Sequence, residues 1–547
     1  MNLPSGPAGP RPDDPGRTVR SPATRSGRST VHAPRFAVAT SQPLATGAAL
    51  IVLEEGGNAI DAAVTAAAVL AVTEPYMTGI GGDMFALFWS AAEGRLVGLD
   101  ASGRAGSLAD ADALVAQGYA AIPEQDARAV TVPGALAGWE TLLDRHGTVS
   151  LARALAPAIR LAEEGFPVSP VIARDWASVA DMLAVDPGSA RTFLPDGRAP
   201  AAGEWFRNPD LAATFREIAS SGTGLLYGGS LGARIADRLQ ALGGFVTVDD
   251  LAGHHSRWVD PIETSYHGVT LHELPPAGQG VAALQMLKML EGFDLKRMGH
   301  NTTPYLHTLI EVKKLAYADL ARFVADPEHM DVTVDALLDP DYLAARASMV
   351  DPRIAAVHPG PGAPATTSDT VYLSTADADG NMVSFINSIY KYFGSGIVVP
   401  GTGFALQNRG VGFALDVDHP NRLAAGKRPL HTIIPAFVTR DGAPWLSYGV
   451  MGGPMQPQGH VQVLLNLLHF DMDVQEAIEA PRFRHLEGKR VAVEAVPTHI
   501  ASDLRALGHE LADPQDFAFG GAQAIVRLDR GWAAGSDPRK DGMAAGG

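Results

Sequence analysis

The chain has 547 residues, 46% of them hydrophobic, which supplies a large packed core and excludes an unfolded protein. Its 43 basic residues against 60 acidic ones leave a net charge of −17, so no broad basic surface is available and nucleic acid is excluded as an expected partner. Cysteine is absent, which removes disulfides, thiolate metal sites and a thiol nucleophile while leaving the compartment open.

Residues 1–30 are rich in Pro, Gly, Ser, Thr and Arg and lack the apolar centre of a secretory signal, so they are expected to be a disordered tail. No run approaches the roughly 18 apolar residues that a membrane span requires; Ala62 to Val72 contains Thr65 and stops at Thr73-Glu74-Pro75. The expectation is a soluble, cytoplasmic protein. Pro43 to Glu55 has helical spacing and ends at Gly56-Gly57, after which Asn58 and Asp61 form a capping box for a second helix, Ala59 to Val72. That second helix is small and apolar all round, which predicts burial between layers. Gly79-Ile80-Gly81-Gly82 leads into a buried strand, Met84 to Trp89.

From about residue 134 to 345 the pattern is mostly helical, with Leu151 to Glu164, Leu231 to Leu242, Gly280 to Leu290 and Pro304 to Phe323 at helical spacing. The segment His358 to Ala365 is expected as an exposed linker. Past it the texture is β. Thr370 to Thr375 and Met382 to Ile389 alternate and meet at Asp379-Gly380, two more strands are predicted at Thr432 to Thr439 and Trp445 to Val450, and a helix follows from Gln458 to Phe470. There is no internal repeat.

A two-residue turn at Asp379 and Gly380 would set Thr370 opposite Ile389 and within reach of Ser388, hydroxyl beside hydroxyl at a strand end. Just before Thr370 lies the loop Pro361 to Asp369, where a chain is easily cut. Cleavage between Asp369 and Thr370 would give Thr370 a free α-amine, a general base of pKa about 7.7 to 8.0 next to its own hydroxyl. Gly452-Gly453, between a strand and a helix, can aim backbone N–H groups at a developing oxyanion, or can be a plain packing turn.

The run Gly56-Gly57-Asn58-Ala59-Ile60-Asp61-Ala62-Ala63, with Glu74-Pro75, Gly79-Ile80-Gly81-Gly82, Val132-Pro133-Gly134, Lys427-Arg428-Pro429 and Gly452-Gly453, resembles the γ-glutamyltranspeptidase family in order over residues 31–545. The resemblance implies an α+β fold, the four-layer αββα sandwich of the N-terminal nucleophile hydrolases. It also implies a precursor that cuts itself before a threonine, here Thr370, into a large subunit of residues 31–369 and a small one of 370–547 that stay paired. By the same resemblance Ser388 holds the nucleophile, Gly452 and Gly453 form the oxyanion hole, and no cofactor or metal is needed.

Where that family holds an amino group with an Asn, a Gln and an acid, this chain has Tyr390, Arg409 and Gly412. His431-Thr432 replaces a Ser-Ser pair that binds a carboxylate, the loop Asp416 to Gly426 is short, and the carboxylate-clamping arginine falls near Ala111, with Arg104 as a possible substitute. These changes remove the complement of an amine and add one for a carboxylate. With Asp100-Ala101-Ser102-Gly103-Arg104, Leu406-Gln407-Asn408-Arg409-Gly410 and Met455-Gln456-Pro457-Gln458, the chain is more similar to the amidohydrolase branch, which includes oxamate amidohydrolase and cephalosporin acylase-like proteins. The expectation is hydrolysis of an amide whose acyl part carries a carboxylate held by Arg409. Arg409 paired with a structural acid such as Asp416 is the plain alternative. The rival activities are γ-glutamyl transfer or glutathione hydrolysis, and a catalytically silent, uncut binding protein.

Other signals have simpler readings. Gly228-Gly229-Ser230-Leu231-Gly232 matches a nucleophile-elbow pattern, with Ser230 better placed as a helix cap. Asp377-Ala378-Asp379-Gly380 starts like a calcium loop but lacks the twelfth-position acid, where Ser388 stands. His254-His255 has no metal-ligand spacing.

Overall fold

A computed structural model of the protein describes residues 27–357, 370–516 and 518–547. Its centre is a pair of seven-stranded antiparallel sheets stacked face to face. The strands, in chain order, are β1 Val31–Ala33, β2 Ala37–Thr40, β3 Asp83–Ser90, β4 Arg95–Ala101, β5 Arg257–Val259, β6 Ile262–Tyr266, β7 Val269–Glu273, β8 Val371–Ala376, β9 Met382–Ser388, β10 Ala436–Arg440, β11 Ala443–Val450, β12 Ala522–Arg527, β13 Trp532–Ser536 and β14 Met543–Gly546. One sheet runs β14-β2-β8-β9-β3-β4-β5 and the other β1-β13-β12-β11-β10-β7-β6. Trp89 of the first stacks on Phe437 of the second, and the Ser374 and Ser447 hydroxyls meet between the layers at 2.5 Å.

The helices α1 Pro43–Glu54 and α2 Ala59–Thr73 cover the first sheet, and α3 Leu151–Glu164 packs against α2. The second is covered by α4 Gly280–Leu290, with α5 Thr303–Phe323 packed against α4, and by α6 Met455–His469. This is the expected αββα sandwich. Helix α2 is buried along its whole length, and Asn58 and Asp61 cap it reciprocally as the sequence predicts. Because its side chains are small, helix and sheet approach closely, and the helix N-terminus reaches the β8–β9 turn: Ala59 N–H donates to Asp377 Oδ2 at 2.9 Å.

That turn corrects the predicted register. Asp377 and Asn381 close it around residues 378–380, with Gly380 at φ +92°, so one more residue is in the loop than a two-residue turn allows. Val371 therefore faces Asn387, and the next step outward sets Thr370 against Ser388 instead of Ile389. The carboxylate of Asp377 holds this geometry by accepting from the N–H groups of Asp379 and Asn381 (both 3.0 Å) and the Asn381 side chain (2.8 Å).

Four further expectations change. The predicted strand Thr432 to Thr439 begins only at Ala436, because His431 N–H donates to Ala277 O and Ile434 N–H to Gln456 Oε1, which takes residues 431–434 out of the ladder. The helix-rich half also contains β5, β6 and β7. Ser230 is the first helical residue and makes no capping bond; Gly229 is the N-cap. Helix α6 starts at Met455, three residues earlier than the apolar spacing indicates. The linker His358 to Ala365, Asp369 and residues 1–26 of the tail lie outside the described residues. Among the described residues no helix is long and apolar enough to cross a membrane.

Replacing Asp377 by Ala removes four hydrogen bonds from a buried carboxylate that sets the β8–β9 register. The expected loss is about 2–3 kcal/mol, read as a lower denaturation midpoint.

Candidate active site

Thr370 lies fully buried at the entry to β8, and its hydroxyl donates to Ser388 Oγ at 3.3 Å. Ser388 ends β9, and on its other side it pairs with Asp83 of β3. Immediately afterwards the chain leaves the sheet: Tyr390 has φ +80° and donates its N–H back to Ser388 Oγ at 2.8 Å. The Gly81-Gly82 pair is needed because this exit strand passes so close. A Cβ at Gly82 would lie 2.2 Å from Ser388 O, and one at Gly81 would lie 2.1 Å from Ala405 O.

Arg409 supplies the third group on the same oxygen. Its Nη2 donates to Ser388 Oγ at 3.1 Å, its Nη1 donates to Thr432 Oγ1 at 2.7 Å, and its guanidinium lies 4.4 Å from the centre of the Tyr390 ring. It is wholly buried, and its Nε has no partner among the described residues. Burial pushes its pKa down to about 10, against the opposing attraction of Asp83. It forms no ion pair with Asp416, the structural partner considered from sequence, nor with any other described carboxylate. The neighbouring Lys391 is tied to Glu124 at 3.1 Å.

Sequence reasoning did not single out Asp83, yet the separate motifs meet on it. Its carboxylate accepts from Gly103 N–H (2.9 Å), Gly134 N–H (3.2 Å), Gln407 Nε2 (3.0 Å) and His431 Nε2 (2.9 Å). Ile433 N–H points at His431 Nδ1 at 3.4 Å, so the ring is neutral with its proton on Nε2. Desolvation first, and then Arg409, hold its pKa down to about 4 although Asp83 pulls the other way. His431 thus fixes the backbone next to Thr432 and is not itself joined to Thr370.

Gly452 and Gly453 leave β11 with φ of +117° and +56°, values that suit glycine, and lead into α6. Gly453 O accepts from Gln279 Nε2 at 2.8 Å. Arg104 is not brought into this cluster: its guanidinium donates to Gly426 O at 2.6 Å and faces Asp326 at 3.9 Å. Gly412 gives its carbonyl to Asn421 Nδ2.

Elsewhere, His307, Glu311 and His509 come together buried, with possible ligand atoms within 4.8 Å of one another. The two histidines are bonded to each other at 2.8 Å, and the Glu311 oxygens already accept from Lys314 Nζ (2.6 Å) and Ala356 N–H (3.0 Å). Lys314 supplies the cluster with its own cation, while His509 Nδ1 has no hydrogen-bond partner among the described residues. A cavity of about 380 Å³ lined by Trp89, Glu263, His272 and Thr439 opens at the far end of the sheets and contains no member of the Thr370 cluster.

A profile of the family described as γ-glutamyltranspeptidase matches residues 45–547. The oxamate amidohydrolase proenzyme of Klebsiella pneumoniae is 39% identical over 519 residues, covering 92% of this chain and 97% of its own. The glutathione hydrolase-like YwrD proenzyme of Bacillus subtilis is 37% identical over 514 residues, with 92% and 97% covered. Among solved structures, the cephalosporin acylase from Bacillus halodurans superposes with a TM-score of 0.90 at 43% identity, covering 96% of this chain and 98% of that one.

Burial holds His254, His300, His431, His469 and His509 neutral, each with its pKa lowered to about 4 from 6.5. The unfolded chain therefore binds more protons than the folded one between these values. Their contribution to stability is complete above pH 6.5 and is lost as pH falls toward 4, so the melting temperature should drop steeply across that window; a flat profile would contradict the assigned neutral rings.

Proposed function

We propose that this chain, which belongs to the γ-glutamyltranspeptidase family and is a hydrolase of it, cuts its own Asp369–Thr370 bond and then hydrolyses amides through an ester on Thr370. In the first step Thr370 Oγ attacks the Asp369 carbonyl carbon and the C–N bond breaks, which leaves an ester and a free α-amine. Water then hydrolyses the ester and releases the Asp369 carboxylate. Residues 31–369 and 370–547 remain one body after the cut. In the first sheet β8, β9 and β14 of the small part pair with β2 and β3 of the large part, so separating the two parts would break three strand ladders there and two more in the second sheet.

In turnover the α-amine takes the hydroxyl proton as Oγ attacks the substrate carbonyl, and returns it to the leaving amine. Water, deprotonated by the same amine, resolves the acyl ester. Ser388 orients the attacking oxygen, and the N–H groups of Gly452 and Gly453 receive the oxyanion. The cationic Arg409 beside this centre disfavours a second positive charge and so favours the free amine.

The observation that carries the substrate reading is Arg409 itself: a buried guanidinium with an unpartnered Nε and no described carboxylate in ion-pair range. Leaving such a charge uncompensated is costly, and a substrate carboxylate in the acyl part would compensate it. The Thr432 hydroxyl, which accepts from Arg409, still has its proton to donate to that carboxylate, and the Tyr390 ring and His431 hold the two in place. The substrate class is thus an amide of a short dicarboxylic acid. The names of the oxamate amidohydrolase and cephalosporin acylase relatives agree with an amide or acyl substrate. With Tyr390, Arg409 and Gly412 at the amine-binding places, a γ-glutamyl donor is disfavoured.

Thr370→Ala should give one uncut chain on a denaturing gel and no amidase activity; two subunits in that variant would remove the mechanism. A wild-type protein that stays a single inactive chain would instead support a silent binding protein. Glutaryl anilide and γ-glutamyl anilide differ by one ammonium group, and the glutaryl compound should be preferred at least about tenfold in kcat/KM. Arg409→Leu should lower kcat/KM for it by roughly 100-fold, the scale of a lost charge-assisted pair, whereas preference for the γ-glutamyl anilide would favour the transferase reading.

A further inference from the structure

The carboxylate-binding segment and the oxyanion segment come from different parts of the chain, 431–434 and 452–454, yet one side chain touches both. Gln279 is the N-cap of α4, is 2% exposed, and turns its single amide NH2 group toward two carbonyls: Thr432 O at 2.6 Å and Gly453 O at 2.8 Å. Its backbone N–H adds a third bond, to His431 O at 3.1 Å. Thr432 is the residue whose hydroxyl receives Arg409, and Gly453 carries one of the N–H groups assigned to the oxyanion. A parallel tie, Ile434 N–H to Gln456 Oε1 at 2.9 Å, joins the same two segments, and it does so two residues beyond Thr432 and three beyond Gly453. At the reacting end the bridge is Gln279.

We propose that Gln279 is a positioning residue that couples the carboxylate seat at Arg409 and Thr432 to the oxyanion loop at Gly452-Gly453, so that a bound acyl carboxylate is read out as turnover and not only as affinity. The physical reason is that an amide with two N–H bonds can satisfy both carbonyls only when they stand at one separation. Ordering Thr432 around a substrate carboxylate then fixes Gly453 through the shared donor. The N–H groups of the loop gain from alignment chiefly when charge develops on the carbonyl oxygen, which places the benefit in kcat. This inference rests on the assignment of Arg409 as a carboxylate site.

The test compares wild type, Gln279→Glu and Gln279→Leu on glutaryl anilide and on pentanoyl anilide, its neutral counterpart, from pH 5 to 8, after circular dichroism and subunit analysis show folded, cut protein. At pH 8 the Glu variant sets a carboxylate against two carbonyls. Its kcat on the glutaryl substrate should fall roughly 30-fold with KM within about threefold, and the glutaryl-to-pentanoyl ratio of kcat should collapse toward one. Protonated at pH 5, the same side chain regains one donor, so its kcat relative to wild type should recover at least about fivefold, while the Leu variant shows no recovery. If the Leu variant stalls uncut, the Glu variant, which keeps the shape, decides. A loss shared equally by both substrates, a loss confined to KM, or a pH-independent Glu variant would overturn the coupling. A wild-type enzyme without preference for glutaryl over pentanoyl would overturn the Arg409 assignment itself, which distinguishes that failure from a failure at Gln279.

Discussion

One oxygen atom, Ser388 Oγ, organises the reacting end of the sandwich. It receives the Thr370 hydroxyl, the Tyr390 N–H and the Arg409 guanidinium within 3.3 Å. These three groups come from different places: the start of β8, the exit of β9 and the short turn at 409–412. They can meet only because the β8–β9 hairpin holds one register, and a slip of one residue would exchange Ser388 for a side chain on the opposite face. Asp377 and the N-terminus of α2 fix that register at the far end of the hairpin. The chemistry proposed at Thr370 therefore depends on a carboxylate six residues along the same strand direction from Val371, at the other end of the ladder.

The charge arrangement follows from the same compactness. Asp83 gathers the N–H groups of Gly103 and Gly134 with the side chains of Gln407 and His431, and the glycines are small because carbonyls of neighbouring segments occupy the space a side chain would need; a Cβ at Gly103 would sit 1.6 Å from Val132 O. Arg409 lies close enough to feel this carboxylate but is not bonded to it. A buried cation in that position is stabilised only partly, by Tyr390 and two hydroxyls, and that residual deficit is the physical basis of the proposal that an anionic acyl group binds there.

Much of this was legible in the residues. The capping box at Asn58, the helices from Leu151 and Gly280, the strand–glycine–helix order around Gly452 and the nearness of the Thr370 and Ser388 hydroxyls all rest on local spacing, and local spacing survives folding. The turn was misjudged by one residue because Asp379-Gly380 suits both a two-residue hairpin and a longer loop with glycine in the left-handed position, and only the side-chain bonds of Asp377 distinguish them. The early start predicted for β10 failed for a non-local reason: Thr432 and Ile434 bond to Gln279 and Gln456 instead of to a strand. Asp83 and Gln279 gave no sequence signal of function, since each ties together segments far apart in the chain, up to 348 residues from Asp83 and 174 from Gln279. The strands β6 and β7 did carry a signal, alternation across His267-Gly268, both at positive φ, which the surrounding helical pattern obscured.

That Thr370 works as a free amino terminus is tested most directly by intact-mass measurement on catalytically active protein. The expected result is two chains, the smaller with the mass of residues 370–547 and an unmodified Thr370 at its start. Full activity in material of a single mass, with Asp369 still joined to Thr370, would contradict it.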